Sequence, residues 1–143
     1  MTLQVELVVP EGEIWAGRAE MVIAKTLDGD IGVLTGHTPV LGILAEGSLV
    51  RIMPEGSSDG AADGTGEVVA AVNGGFFSVA DDRVSILARE AQLGGEVDTR
   101  AARAALDEAV QREEAAAGGE EEPADVRYFR ALLRAAGDSA DRA

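Results

Sequence analysis

No cysteine occurs in the 143 residues, which excludes a disulfide framework, a thiolate metal site and a cysteine nucleophile. Histidine occurs once, at His37, so a His-rich metal cluster is excluded as well. Basic residues are scarce: 12 Lys and Arg stand against 26 Asp and Glu, a formal net charge of -14. Such a field repels phosphate backbones and anionic lipid surfaces, which argues against unaided binding to nucleic acid or bilayer. Long apolar runs are also missing. The longest uncharged stretch, Ile31 to Ala45, is 15 residues and contains His37, Pro39 and three glycines, short of the roughly 20 apolar residues that span a membrane. Met1 to Pro10 has no basic leader and carries Gln4 and Glu6 where a signal peptide needs unbroken apolar sequence, so a cytosolic protein is expected.

What is there is enough for a core, since 46% of the residues are hydrophobic, and the length suits one domain with a small appendage. The composition changes near residue 96, giving an expected division into 1–96 and 97–143. In the first part, Leu3, Val5, Leu7 and Val9, then Met21 and Ile23, then Leu49, Val50 and Ile52, then Val84, Ile86 and Ala88 follow the period-two pattern of half-buried strands. Turn signals punctuate them at Pro10-Glu11-Gly12, Asp28-Gly29-Asp30, Gly36-His37-Thr38-Pro39, Asn73-Gly74-Gly75 and Asp81-Asp82. This spacing predicts an antiparallel β-sandwich or flattened barrel. Asn73-Gly74 reads as a hairpin turn between Val68–Val72 and Phe76–Val79. The Gly-, Ser- and Asp-rich stretch 54–66 reads as a surface loop.

From Val97 onward the pattern is helical. Asp98 is the expected N-cap of a first helix that ends at Gly118-Gly119, with Glu108 and Arg112 as an i,i+4 pair. A second helix is expected from an Asp125 N-cap, with Val126, Phe129, Leu132, Leu133 and Ala136 on its apolar face and Gly137-Asp138-Ser139 as its stop. This hairpin is too small and alanine-rich to be stable alone, so it must pack on the sandwich or on a partner.

Groups capable of chemistry are few. Lys25-Thr26 lacks the glycines of a phosphate loop, and Asp28-Gly29-Asp30 lacks the distal ligands of a calcium loop and reads as a solvated turn. His37 reads as a loop histidine bonded to its own turn or to a partner surface. Arg127, Arg130 and Arg134 recur at i, i+3 and i+7, a cationic stripe that reads either as a solvated face pairing with the sandwich's own acids or as a docking strip for an acidic helix.

Taken in order, Pro10-Glu11-Gly12-Glu13-Ile14-Trp15, Asp28-Gly29-Asp30-Ile31-Gly32-Val33-Leu34, Gly36-His37-Thr38-Pro39-Val40-Leu41, Asn73-Gly74-Gly75-Phe76 and Asp82 to Ala88 resemble the epsilon subunit of bacterial F-type ATP synthase. The resemblance covers almost the whole chain. It implies about ten antiparallel β-strands in a sandwich followed by a C-terminal two-helix hairpin. It implies a non-catalytic subunit of the proton-translocating complex, peripheral on the cytoplasmic face of the bacterial cell membrane. There the sandwich would grip the gamma subunit and the c-subunit ring, coupling ring rotation to ATP synthesis, with Asp28, Asp30, His37 and Thr38 at the c-ring or gamma interface.

The resemblance further implies that the helices can extend into the alpha/beta head and inhibit ATP hydrolysis, with Arg127, Arg130 and Arg134 meeting an acidic segment of the beta subunit. Some relatives bind ATP through an I/L-D-x-x-R-A motif. Val97-Asp98-Thr99-Arg100-Ala101 puts alanine at the arginine position, so at most a weak ATP site near Asp98, Arg100 and Arg103 is implied, and no cofactor is expected. The residues alone also leave open a free cytosolic sandwich, either a ligand-binding protein with His37 and Asp30 in a cleft or an acidic adaptor.

Overall fold

The computed structural model describes residues 2–55, 67–115 and 123–137. Among the described residues seven strands appear in order: β1 (Leu3–Val9), β2 (Gly12–Thr26), β3 (Gly29–Val33), β4 (Val40–Pro54), β5 (Val68–Ala80), β6 (Arg83–Ala88) and β7 (Ala91–Leu93). A 3-10 turn at Gly94–Glu96 leads to α1 (Thr99–Ala115) and α2 (Ala124–Ala135). The sheet runs β1-β6-β5-β4-β2-β3, and an additional β1–β2 pairing closes it into a flattened barrel. The expected count of about ten is met by fewer, longer strands, because β2, β4 and β5 each change partners or register along their length. Pairing is antiparallel throughout except between β1 and β6, which run parallel.

Alternation made these strands. Leu3, Val5 and Leu7 of β1 and Val84, Ile86 and Ala88 of β6 point into a core shared with Phe77, Val79, Val50 and Ile52. On β2 the inward residues are Val22 and Ala24, not Met21 and Ile23 as the alternation suggested. That strand is apolar on both faces, so period two alone could not choose its inner side. The same double use occurs on β4, where Val50 and Ile52 face the core while Leu49 packs against the helices.

Asp81 and Asp82, at φ 52° and 60°, form the tight turn from β5 to β6 that their sequence signalled. Asn73-Gly74-Gly75 does not form a hairpin turn. β5 runs straight through it, still paired to β4 at Asn73↔Glu46 and Gly75↔Leu44, and the positive φ of Gly74 (78°) and Gly75 (129°) serves a bend. At this bend β5 passes from pairing with β7 to pairing with β6. A Cβ on Gly75 would lie 2.1 Å from the Leu87 carbonyl oxygen, so only glycine fits there.

Asp98 caps α1 as expected, its Oδ1 accepting the Ala101 N–H at 3.1 Å. Arg112 pairs with Asp125 across the hairpin at 3.2 Å rather than with Glu108 along its own helix. Asp125 is not the N-cap of α2: Pro123 holds that position, and Asp125 sits in the first turn. There its negative charge still suits the helix N-terminus. Gly137, at φ 82°, donates its N–H to the Arg134 carbonyl and ends α2 where the sequence indicated. The expectations for a helix end at Gly118-Gly119, for Asp138-Ser139 and for most of the 54–66 loop lie outside the described residues. Pro54 itself belongs to β4.

Helix α2 lies on the sheet and α1 packs on α2. Val126, Tyr128, Ala131, Leu132 and Leu133 form one cluster with Ala102, Leu106 and Ala109 of α1 and Ala71 of β5. The hairpin therefore reaches the sheet through α2, as its poor independent core required.

Candidate docking surfaces

Two features of the surface stand out, one apolar and one cationic. The apolar one is a row across four strands. Ile43 of β4 is in register with Phe76 of β5, Phe76 with Leu87 of β6, and Leu87 with Val8 of β1. Ile43, Phe76 and Leu87 are 52%, 54% and 49% exposed, and Leu41, one pleat along β4, is 73% exposed. In the next row the polar residues Ser78, Ser85 and Glu6 follow Leu41, and the Ser85 hydroxyl donates to Glu6 at 2.9 Å. Large side chains in register on an exposed sheet form one contiguous patch, the kind of surface at which proteins meet partners. Sequence reasoning missed this patch because strand residues 41, 43, 76 and 87 look like core until the register shows that Leu44, Phe77 and Ile86 take the inner side.

The cationic feature is a groove of about 790 Å³ between α2 and the outer face of β2 and β4, with one wall reaching β3. Lys25, Arg51, Arg127, Arg130 and Arg134 line it together with Asp30 and Glu46. The three arginines of the α2 stripe thus line this groove in the docked arrangement, beside Asp30 and Glu46. Arg51 bonds Glu67, whose carboxylate raises the guanidinium's pKa further, and Glu46 meets Arg89 at 3.2 Å. Gly47, on the floor, leaves no room for a side chain: a Cβ there would stand 2.5 Å from the Cβ of Arg127.

The four residues expected at one interface are divided. Asp28 occupies the exposed β2–β3 turn, where its N–H donates to Thr26 Oγ1 at 3.2 Å and the Thr26 hydroxyl donates to the Gly29 carbonyl at 2.8 Å. Asp30 lies opposite Lys25 across the β2–β3 ladder, at the groove's edge. His37 and Thr38 follow the far end of β3, in the loop to β4. There His37 Nδ1 lies 2.6 Å from the Thr38 carbonyl, and the Gly36 N–H donates to Asp82 Oδ1 at 2.6 Å. His37 thus bonds its own turn, and it is not among the residues that line the groove with Asp30.

The residues considered for nucleotide are placed by α1. Asp98 spends its carboxylate on the helix cap, Arg100 is exposed and Arg103 is half-buried. Among the described residues, no group of three or more His, Cys, Asp or Glu side chains is placed to hold a metal ion. No described helix is long and apolar enough to cross a membrane.

Comparison with known proteins gives one family. Residues 2–94 match the model of the ATP synthase Delta/Epsilon chain β-sandwich domain. The chain is 53% identical over 135 residues to an ATP synthase epsilon chain of Thermobifida fusca, covering 94% of this chain and 91% of the relative. It is 44% identical over 132 residues to an ATP synthase epsilon chain of Streptomyces griseus, covering 92% and 97%. In fold it resembles a chain of the Euglena gracilis mitochondrial ATP synthase, solved as OSCP/F1/c-ring in rotational state 1, with a TM-score of 0.65 at 22% identity, covering 99% of this chain and 81% of that one.

Proposed function

The chain belongs to the ATP synthase Delta/Epsilon family, and on that premise we propose that it is a non-catalytic central-stalk subunit of a bacterial proton-translocating F-type ATP synthase. It joins the gamma subunit to the c-subunit ring below the alpha/beta head and passes ring rotation to the sites of ATP synthesis. It is held peripherally at the cytoplasmic face of the cell membrane through its partners and inserts no segment of its own.

The observation that carries this reading is the apolar row Ile43, Phe76 and Leu87 with Leu41, on a chain whose net charge is -14. A stalk subunit must grip its neighbour against torque. Contiguous apolar area supplies that grip without depending on salt, while the surrounding negative field attracts a basic partner and orients it on approach. The row fits gamma, and the β2–β3 turn with Asp28 and Asp30 fits the polar loops of the ring. The test is assembly. Phe76→Asp in the full chain should fold as the parent does and fail to co-purify with gamma and the ring. Retention of the variant at parental stoichiometry would remove the patch from the interface.

In the same reading the hairpin is a brake. Docked, as here, α2 rests on the sheet; extended, it would carry Arg127, Arg130 and Arg134 toward acidic sequence on the beta subunit and slow ATP hydrolysis. Replacing all three by alanine should relieve that inhibition. The alternative of a ligand cleft built on His37 and Asp30 loses support, since the groove that contains Asp30 does not include His37.

A further inference from the structure

The two helices of the hairpin are not held alike. α1 buries a single stripe, Ala102, Leu106 and Ala109 at i, i+4 and i+7, and leaves Ala101, Ala104, Asp107 and Glu108 exposed. A stripe that narrow has room for one neighbour, and that neighbour is α2. Among the described residues α1 runs against no strand to a comparable extent. α2 lies between α1 and the sheet and is covered on both sides, with Val126, Tyr128, Ala131, Leu132 and Leu133 all buried. Both ends of α2 rest on glycine backbone. Near its start, Arg127 sits over Gly47, where a Cβ would stand 2.6 Å from the Arg127 carbonyl carbon; near its end, Ala135 sits against Gly94 in the turn that leads to α1. The two seats, under Arg127 and Ala135, are about 12 Å apart along the helix axis.

The seat at Gly47 is made by a break in the regular strand beneath it. β4 pairs Glu46 with Asn73 and Ser48 with Val72, so Gly47 is the extra residue of a β-bulge, at φ 64°. Ser48 is buried and its hydroxyl donates to the Ala45 carbonyl at 2.7 Å, which closes the bulge from within. Bulge and glycine together leave a gap on the strand surface, and the backbone of α2 fills it. We propose that α2, seated in this bulge, is the latch of the whole hairpin and that α1 has no docked state without it, so that both helices leave the sheet in one step. The reason is energetic. Once α2 leaves, α1 is a 17-residue alanine-rich helix with one apolar stripe and no sheet contact to hold it, which is marginal in water. Gly47 is thus a positioning residue for the pair. The inference rests on the brake proposed above only for its consequence, a brake that is either wholly docked or wholly released; the latch stands on the packing itself.

The experiment is amide hydrogen exchange on the full-length chain carrying Gly47→Ala. Amides at Leu106 and Ala109 of α1 and at Ala131, Leu132 and Leu133 of α2 should accelerate together, by one shared factor of about tenfold or more, the scale of overpacking a close contact. Amides of β1 and β6 should keep their parental rates. Alanine at 47 also strains a left-handed backbone, so Gly36→Ala is the control. Gly36 has φ 82° and open space where a Cβ would stand, and its variant should leave both helices unchanged. Gly47→Asn, which suits the left-handed backbone but still carries a Cβ, should release the helices as alanine does. If β4 itself unravels in the Gly47 variants, Gly94→Ala loads the other seat and is read on the same amides. Faster exchange in α2 with parental rates in α1 overturns the single step. Rates in both helices no faster than in Gly36→Ala overturn the seat. In the assembled synthase, Gly47→Asn should slow ATP hydrolysis, because release favours the extended brake. Unchanged hydrolysis beside a positive free-chain result would sink the brake and leave the latch standing.

Discussion

Gly94 lies against Ala135 so tightly that a Cβ on the glycine would stand 2.0 Å from the alanine's carbonyl oxygen. Unlike Gly47, whose φ is +64°, Gly94 does not sit in the left-handed region, so alanine at 94 strains its contacts and not its own backbone: severely the one with α2, and mildly the one with the Val69 carbonyl oxygen of β5 at 3.3 Å. Gly94→Ala should therefore loosen the hairpin far more than the sheet, at a cost of about 1 to 3 kcal/mol, the range for overpacking a close contact. Limited proteolysis checks it: α2 should become cleavable while residues of β1 to β6 stay protected.

Tyr128 is the chain's single tyrosine and reports on the same docking. Burial, with the charge of Glu90 second, pushes its pKa up from the usual value near 10 to about 12. The folded state thus favours the neutral phenol. Its contribution to stability is complete below pH 10 and is lost as pH rises from 10 through 12, by roughly 2 kcal/mol at the top of that window. Ultraviolet titration of the phenolate should give a midpoint near 12 in the parent and one shifted toward 10 in Gly94→Ala. A midpoint near 10 in both would mean that Tyr128 is not buried in the docked hairpin.

Asp82 joins two loops that sequence spacing alone does not connect. Its Oδ1 accepts the Gly36 N–H at 2.6 Å and its carbonyl accepts the Gln4 N–H at 2.8 Å, while its φ of 60° shapes the β5–β6 turn. Asp82→Ala removes the charge-assisted bond and places alanine in left-handed backbone. A loss of about 2 kcal/mol is expected in urea denaturation. Amide exchange should also rise at Gly36 and His37 while β3 keeps its protection.

Asp98→Ala tests the helix cap. The carboxylate that accepts the Ala101 N–H at 3.1 Å is replaced by a methyl group, and α1 should lose about 1 kcal/mol. Faster exchange confined to the first turn of α1 is the expected sign. The same variant with Asn, which also caps, should behave as the parent.

Much of this architecture was legible in the sequence where one local rule governed the outcome. Leu3, Val5 and Leu7 alternate because one face of β1 meets the core, Asp81-Asp82 turns because both residues tolerate positive φ, and Asp98 and Gly137 bracket the helices. Legibility failed where a residue served two neighbours. Ile23 and Leu49 are apolar because α2 covers the outer sheet, so alternation pointed to the wrong face on β2 and to both faces on β4. Asn73-Gly74 carries the chemistry of a hairpin but is used for a bend, since continued pairing with β4 holds the strand together on both sides. The apolar row was hidden for a related reason. Phe76 and Phe77 are adjacent and chemically identical, and only the register places one outside and one in the core.

The most direct test of the central claim is to measure ATP hydrolysis and proton pumping by reconstituted synthase containing the full chain, a version ending at Glu96, or none. The account predicts that omitting the subunit uncouples pumping from hydrolysis, whereas the version ending at Glu96 keeps the two coupled and hydrolyses ATP faster. A chain that neither joins the complex nor changes either rate would contradict it.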